Sequence, residues 1–449
     1  MKHYAASQPT GCRPLIKLLA IIISIQAHCL FVHAQQLNRQ NDQLVLTGNH
    51  YSSLEKNKKK FWKAAGEWAM MQALPWAYDR YIRKADFAKI SFKSIDSNFH
   101  LSSWEWDDNK FCDNQFMHPF HGNLFFNTFR SNGYNFWESI PAAVLGSYTW
   151  ETVFETHVPA PNDIINTAFG GIVMGEMNAR LAQVLVRRLK YGKKYSPKQK
   201  LITSTTTEAG MRQVTSGDNK SVLVSRKGIY SRLHLQYGES FSDCKVPFDN
   251  FSLLAEIGNS DTAKLNSLQI EGCIYGKKMH ETTIATHVFN ISMNYDYMQN
   301  NNFVYGAQSI KANLLSRINL SKNVQVQLTA GTGIIALAAV HNTHMYYGEG
   351  RNYDYCSGIS LNAGASLTLF NKLFLNINTS VAETITVNGY KATHLLQNTG
   401  LDLRIEIYKG LFINAATKYY VFNGYYKDYD DVTEHYSVRN IGLGYRFPL

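Results

Sequence analysis

Between residues 118 and 176 the chain concentrates side chains that could do chemistry: His118, His121, Arg130, Ser131, Glu138, Glu151, Glu155, Asn162, Asp163 and Glu176. Two imidazoles three residues apart would share one face of a helix, and neutral imidazole is a zinc ligand. Pro119 and Gly122 argue against a regular helix there, and no glutamate follows in a His-Glu-x-x-His arrangement. Hydrogen bonding to backbone is the expected role of both histidines, and no metal is expected. Glu151 and Glu155, at i and i+4, form a carboxylate pair on one helix face. Such a pair divides acid and base work if its pKa values are driven apart. The ordinary alternative is solvation or pairing with an arginine, Arg130 or Arg180. Ser131, Ser139 and Ser147, with His118, His121 and His157, supply the residue types of a Ser–His nucleophile, but no nucleophile-elbow glycine pattern surrounds any serine. No cofactor is implied.

Helical elements must position these groups. A helical pattern runs from Ser53 to about Ala88, behind a lysine cluster at Lys56–Lys60, and Pro75 is expected to kink or split it. Residues 91–120 read as mixed and loop-like. A second helical block follows from about Asn123 to Leu189; its two best segments, Phe136–Phe154 and Asn162–Leu189, are joined by Pro159-Ala160-Pro161, with Asn162 or Asp163 as N-cap of the second. Ala142 with Gly146, and Gly171 with Gly175 and Ala179, recur at four-residue spacing. That spacing brings helices close, either in a soluble hairpin, the preferred reading, or in one packed into or against a barrel. Glu138, Glu151, Glu155 and Glu176 make membrane-spanning helices of these segments too costly.

After the basic stretch Arg187–Lys200 the apolar period changes to two. Leu401, Leu403, Ile405 and Ile407 alternate with Asp402, Arg404 and Glu406, and similar alternation recurs in about twelve segments to the C-terminus. Their expected bounds are roughly 203–214, 222–238, 247–258, 265–276, 283–297, 304–319, 323–339, 357–369, 373–388, 395–408, 411–424 and 436–447. Successive strand side chains face opposite sides, so each segment requires apolar surroundings on one side and a polar space on the other. An even number of such strands, with abundant tyrosine and phenylalanine, fits an antiparallel barrel in lipid better than a soluble sandwich. The fold class is therefore mostly β: an antiparallel transmembrane β-barrel of about twelve strands preceded by an α-helical domain. Arg232, Lys311, Arg317, Asp402, Arg404 and Glu406 are expected to face the lumen, and their mixed signs favour a filled or constricted interior.

The polar blocks also carry a resemblance. His118-Pro119-Phe120-His121-Gly122, Arg130-Ser131-Asn132-Gly133, Phe136-Trp137-Glu138-Ser139, Trp150-Glu151, Asn162-Asp163 and the glycine-rich run 170–176 ending in Glu176 resemble the domain-of-unknown-function 3943 family of bacterial cell-envelope proteins. The resemblance covers roughly residues 115–185 well and the barrel more loosely. It implies the architecture and no reaction.

The chain opens with Lys2, Arg13 and Lys17, an apolar run Leu18–Ile25 and Val32-His33-Ala34, the order of a secretory signal peptide. The expected organisation is signal peptide 1–34, polar leader 35–52, helical periplasmic or plug-like domain 53–200 and outer-membrane barrel 201–449. Removing residues 1–34 takes three basic and no acidic residues, leaving 42 against 34, a net charge of +8. For an exported chain that charge points to acidic lipids or lipopolysaccharide, with no nucleic acid. Barrel-assembly machinery is the other expected partner. Cys112, Cys244, Cys273 and Cys356 lack any short C-x-x-C spacing, which argues against a zinc ribbon. The expected function is a channel, transport or lipid-handling component of the bacterial outer membrane, its helical domain capping or plugging the barrel. The alternative is a barrel enzyme modifying an envelope lipid or glycan.

Overall fold

A computed structural model describes residues 58–191, 202–218, 224–260, 264–299, 303–344 and 351–447. The expected signal peptide and leader lie outside the described residues. The chain divides into two compact units, 54–177 with 200–449, and 1–53 with 178–199. Of the second, only the C-terminal part of one helix is described.

Among the described residues, twelve strands close into one antiparallel barrel, each paired with its chain neighbours and the first with the last. They are β1 Ile202–Asp218, β2 Val224–Tyr237, β3 Phe251–Ser260, β4 Lys264–Glu281, β5 Ala285–Gln299, β6 Val304–Ser321, β7 Val324–His341, β8 Tyr353–Leu369, β9 Leu373–Asn388, β10 Ala392–Tyr408, β11 Leu411–Tyr426 and β12 Val432–Arg446. Closure satisfies every strand edge, which a membrane-spanning sheet requires. Several expected bounds move: β1 ends at 218 rather than 214, β4 ends at 281 rather than 276, and β10 starts at 392 rather than 395. β3 starts at 251 rather than 247, because 238–250 forms a connection with Phe248 in the left-handed region (φ 60°). β8 starts at 353 rather than 357, and β12 covers 432–446 rather than 436–447.

Alternation sorts the wall into two faces. Ile334 is 69% exposed and Leu443 58%, as outward apolar residues of a membrane barrel are. On the inner face Arg232 Nε donates to Glu256 Oε2 at 2.7 Å, and Arg232 Nη1 reaches Asp402 on β10 at 3.1 Å. Arg212 Nη2 also donates to Glu256, and Lys418 of β11 lies 3.8 Å from the same carboxylate. Arg404 Nε donates to Asp402 at 2.9 Å, and Glu406 pairs with Arg446. Lys311 faces Asp296 at 3.9 Å, and Arg317 stacks on Phe241. Toward the opposite end from that at which β1 begins, an apolar layer fills the interior. There Phe303, just before β6, packs on Phe422 (5.7 Å) and Tyr436 (5.2 Å) from β11 and β12. Those strands stand five and six places from β6 around the ring. Side chains thus meet across the lumen at two levels.

Among the described residues six α-helices make up the helical region: α1 Phe61–Ala77, α2 Phe92–Phe99, α3 His118–Arg130, α4 Phe136–Thr149, α5 Pro161–Ile165 and α6 Gly171–Tyr191. α1 runs through Pro75 and widens into a π-helical turn, Tyr78–Arg83, instead of splitting. α2 lies in the stretch read as loop-like, held by a reciprocal Ser91–Ser94 capping box. α3 is helical despite Pro119, its second residue, which follows directly on the π-helical turn Asp113–Met117; that widened turn changes the hydrogen-bond register just where the proline lacks its N–H. Asn162 and Asp163 lie inside the first turn of α5 and do not cap it, since Ala160 occupies that position.

Glycines set the helix spacing. A Cβ on Gly122 would overlap the Thr167 carbonyl, one on Gly146 would overlap Phe125, and one on Gly175 would overlap Phe126. The Gly122→Ala variant is expected to destabilise the helical block by about 1–3 kcal/mol, because a rigid backbone carbonyl must give way. Chemical denaturation followed by tryptophan fluorescence measures this. An unchanged midpoint would mean that α3 shifts without loss.

The helical block meets the barrel on outward-facing positions in each contact found. Tyr295, Tyr353 and Tyr355 have outward parity yet are 0% exposed. Asn114 Nδ2 donates to the hydroxyls of Tyr353 (2.8 Å) and Tyr355 (2.7 Å), and Tyr295 donates to the Gln115 carbonyl. Trp106 packs on Tyr355, and Phe111 on Tyr297. Gly306 leaves room for the Gln115 side chain against the wall. Phe136 of α4 stacks on Phe248 of the β2–β3 connection. None of these contacts enters the lumen, so they give the expected cap or plug no support. Burying each aromatic here contributes about 1.5–3 kcal/mol.

Candidate functional site

Ten side chains singled out in the sequence separate into two groups. Five hold the fold. Arg130 Nε and Nη2 donate to the two Glu176 carboxylate oxygens at 2.6 and 2.9 Å, so Arg130 serves neither Glu151 nor Glu155. Glu138 accepts from the Asn135 backbone N–H and pairs with Lys59. Ser131 follows α3, and its N–H donates to the Asn127 carbonyl. His121 packs between Phe125 and Trp150, with Nε2 3.3 Å from the Met71 carbonyl. Burial drives its pKa down to about 4, so it is neutral. His118 and His121 therefore do not act together.

The other five converge. His118 Nε2 lies 3.4 Å from Asp163 Oδ1, and His118 Nδ1 is hydrogen-bonded to Thr167 Oγ1 at 3.1 Å. Asn162 Nδ2 donates to Asp163 Oδ1 at 2.7 Å, while Asn162 Oδ1 accepts from the Asp107 N–H at 3.0 Å. One amide thus ties two aspartates from separate elements. Glu151 Oε2 accepts from the Ala160 N–H at 3.1 Å, and Glu151 shares a hydrogen bond with Glu155. Three π-helical turns frame the group: Asp113–Met117 leads into His118, Trp150–Phe154 carries Glu151, and Asn166–Gly170 carries Thr167. π-helical turns are rare, and they recur where a helix must re-aim a side chain at a functional site.

Electrostatics follow from crowding carboxylates away from water. Burial pushes Glu151 up to about 8, and the Asp163 charge adds to the rise. Burial and then the Glu151 charge raise Glu155 well above its usual range. Burial followed by the Asp107 charge does the same to Asp163. Asp113 is raised by burial as well. At neutral pH Glu151 holds a proton, so it can donate a hydrogen bond or act as a general acid. Among the described residues, no lysine or arginine forms an ion pair with Asp107, Glu151, Glu155 or Asp163.

Asp107 was missed in the sequence, and its place explains why. It lies in an irregular segment where no periodicity marks a role, and only the fold brings it to His118 and Asp163. Asp107 and His118 bracket the stretch docked on the barrel tyrosines, and Arg351 Nη1 donates to the Asp107 carbonyl at 3.4 Å. The outer wall therefore sets the spacing of the site.

Residues 103–204 match the model of the family described as Domain of unknown function (DUF3943), which covers every residue of this cluster and supports the resemblance read from the motifs. No curated protein matches the chain. Among solved structures, the NanC porin is 11% identical with a TM-score of 0.29, over 52% of this chain and 98% of the porin. The translocator domain of the autotransporter NalP from Neisseria meningitidis is 16% identical, TM-score 0.26, over 61% and 98%. A mutant of the TodX monoaromatic hydrocarbon channel is 8% identical, TM-score 0.26, over 55% and 90%. Likenesses this distant carry no argument about activity; the barrel stands on the closed strand order and amphipathic wall of this chain.

Proposed function

We propose that this protein is an outer-membrane barrel that handles envelope lipid and does not pass solutes, with the helical block lying along the outer wall as its working part. The observation that carries this reading is the lumen. An ionic layer joins β2 and β3 to β10 and β11, and an apolar layer joins Phe303 to Phe422 and Tyr436. A conducting pore keeps a continuous polar path, and a layer of aromatics packed edge to face or at a tilt interrupts one. Exposed apolar side chains of the helical block support lipid contact: Trp62 is 85% exposed, Phe92 92% and Leu101 77%.

Planar-bilayer recording tests the sealed barrel. Wild type is expected to give no unitary current, and stable conductance steps would sink the proposal. A second reading, an enzyme acting on an envelope lipid or glycan, is favoured by His118 paired with Asp163 and by the protonated Glu151, which feels the charges of both. Lipid extracts from cells carrying wild type and a Glu151→Gln variant should then differ; identical profiles would remove that reading.

A further inference from the structure

We infer that Asp107, His118 and Asp163 form a binding site for one divalent transition-metal ion, of which Zn²⁺ and Mn²⁺ best suit the donors. One ligand atom from each residue lies within 4.8 Å of the other two, and they come from a loop, α3 and α5 respectively. The spacing is close to what a metal demands. Ligands about 2.0–2.1 Å from zinc stand about 3.3 Å apart at the tetrahedral angle, and His118 Nε2 stands 3.4 Å from Asp163 Oδ1.

Three further features fit a metal better than an ordinary ion pair. First, His118 is oriented through its other nitrogen, bound to Thr167 Oγ1, which is the support that metal-binding imidazoles use to fix their direction. Second, Asp107 Oδ1 accepts from the Asn109 N–H at 3.1 Å, while Asp107 Oδ2 is buried with no hydrogen-bond partner. A buried carboxylate oxygen left without a donor is costly, and a cation at that point satisfies it. Third, Asn162 donates to the Asp163 carboxylate, as groups behind ligating carboxylates do, and holds the Asp107 backbone through its N–H.

One imidazole nitrogen and two carboxylate oxygens form a mixed donor set of the kind bound by zinc, manganese or ferrous iron, and softer copper(I) sites use sulfur instead. Three protein ligands leave at least one coordination position for water or a substrate oxygen. The inference goes beyond lipid handling and does not depend on it, since a protein that binds metal without altering lipid leaves it intact.

The test is direct metal binding by the full chain in detergent. Protein stripped with chelator is titrated with Zn²⁺ by calorimetry, and bound metal is counted after desalting. Wild type is expected to retain about one equivalent. Asp163→Asn, His118→Ala and Asp107→Asn should each weaken binding by about 10-fold or more, and His100→Ala, at an exposed position outside the site, should leave it unchanged. Heat-modifiable migration on gels and the trypsin pattern report folding independently. Asp107→Asn, a near-isosteric change in a loop, keeps the test decisive if either of the others misfolds. No Zn²⁺ retained by wild type, or folded site variants binding as tightly as wild type, would overturn the inference.

Discussion

Arg130→Ala should cost the helical block about 3–5 kcal/mol, because it leaves the Glu176 carboxylate buried without its bidentate partner. The two side chains are 1% and 0% exposed, and the bonds between them span 2.6 and 2.9 Å. Arg130 Nη1 also donates to the Tyr134 carbonyl at 2.9 Å, so the turn into α4 loses an anchor with it. Against a typical total of about 5–15 kcal/mol, such a loss is a large fraction. Limited trypsin digestion is expected to cut within residues 58–177 while the barrel keeps its heat-modifiable migration. Replacing both partners by apolar residues, Arg130→Met with Glu176→Leu, should recover much of the loss, since the penalty lies in taking the guanidinium from a buried carboxylate. If the single variant resisted trypsin as wild type does, the pair would be dispensable.

Glu256→Ala should have an effect of similar size on the barrel. Glu256 is 1% exposed and accepts from Arg212 and Arg232 at 2.5 and 2.7 Å, with Lys418 at 3.8 Å. Removing it takes a shared carboxylate from three positive groups, of which Arg232 keeps Glu208 and Asp402, at a cost of about 3 kcal/mol if the lumen is dry. The temperature at which the barrel loses its folded gel mobility should fall by several degrees. An unchanged temperature would mean that water fills the lumen and screens the arginines, which would also weaken the sealed-barrel proposal.

Much of the architecture was legible because two-residue alternation is a local property. Leu401, Leu403, Ile405 and Ile407 differ from Asp402, Arg404 and Glu406 whatever lies elsewhere in the chain, and twelve such segments leave closure as the way to hide the edges. Helical segments were legible from their periods, and the residues misread there are informative. Pro119 argued against a helix because proline breaks helix interiors, yet it follows a π-helical turn, Asp113–Met117, whose wider register accommodates it. Asn162 offered itself as a cap, but Pro161 starts the helix one residue earlier and leaves the amide free to brace two aspartates.

The site itself was half legible. His118, Glu151, Glu155, Asn162 and Asp163 stood out by type, whereas His121, Arg130, Ser131, Glu138 and Glu176 stood out equally and proved to hold the fold. Residue type cannot separate them, because a buried imidazole against Trp150 and one facing Asp163 are the same in sequence. Asp107 carried no signal at all, for its meeting with His118 depends on a loop pinned to Tyr353 and Tyr355 from β8, more than two hundred residues later. By itself the sequence determined the amphipathic strands, their closure and the helical block before them, since these follow from short-range alternation and turn chemistry. Only the tertiary structure decided that the lumen is crossed by side chains, that the block meets the outward face of the wall, and that Asp107, His118 and Asp163 come together. Each of those depends on contacts between residues far apart in the chain, whose free energy no local pattern records.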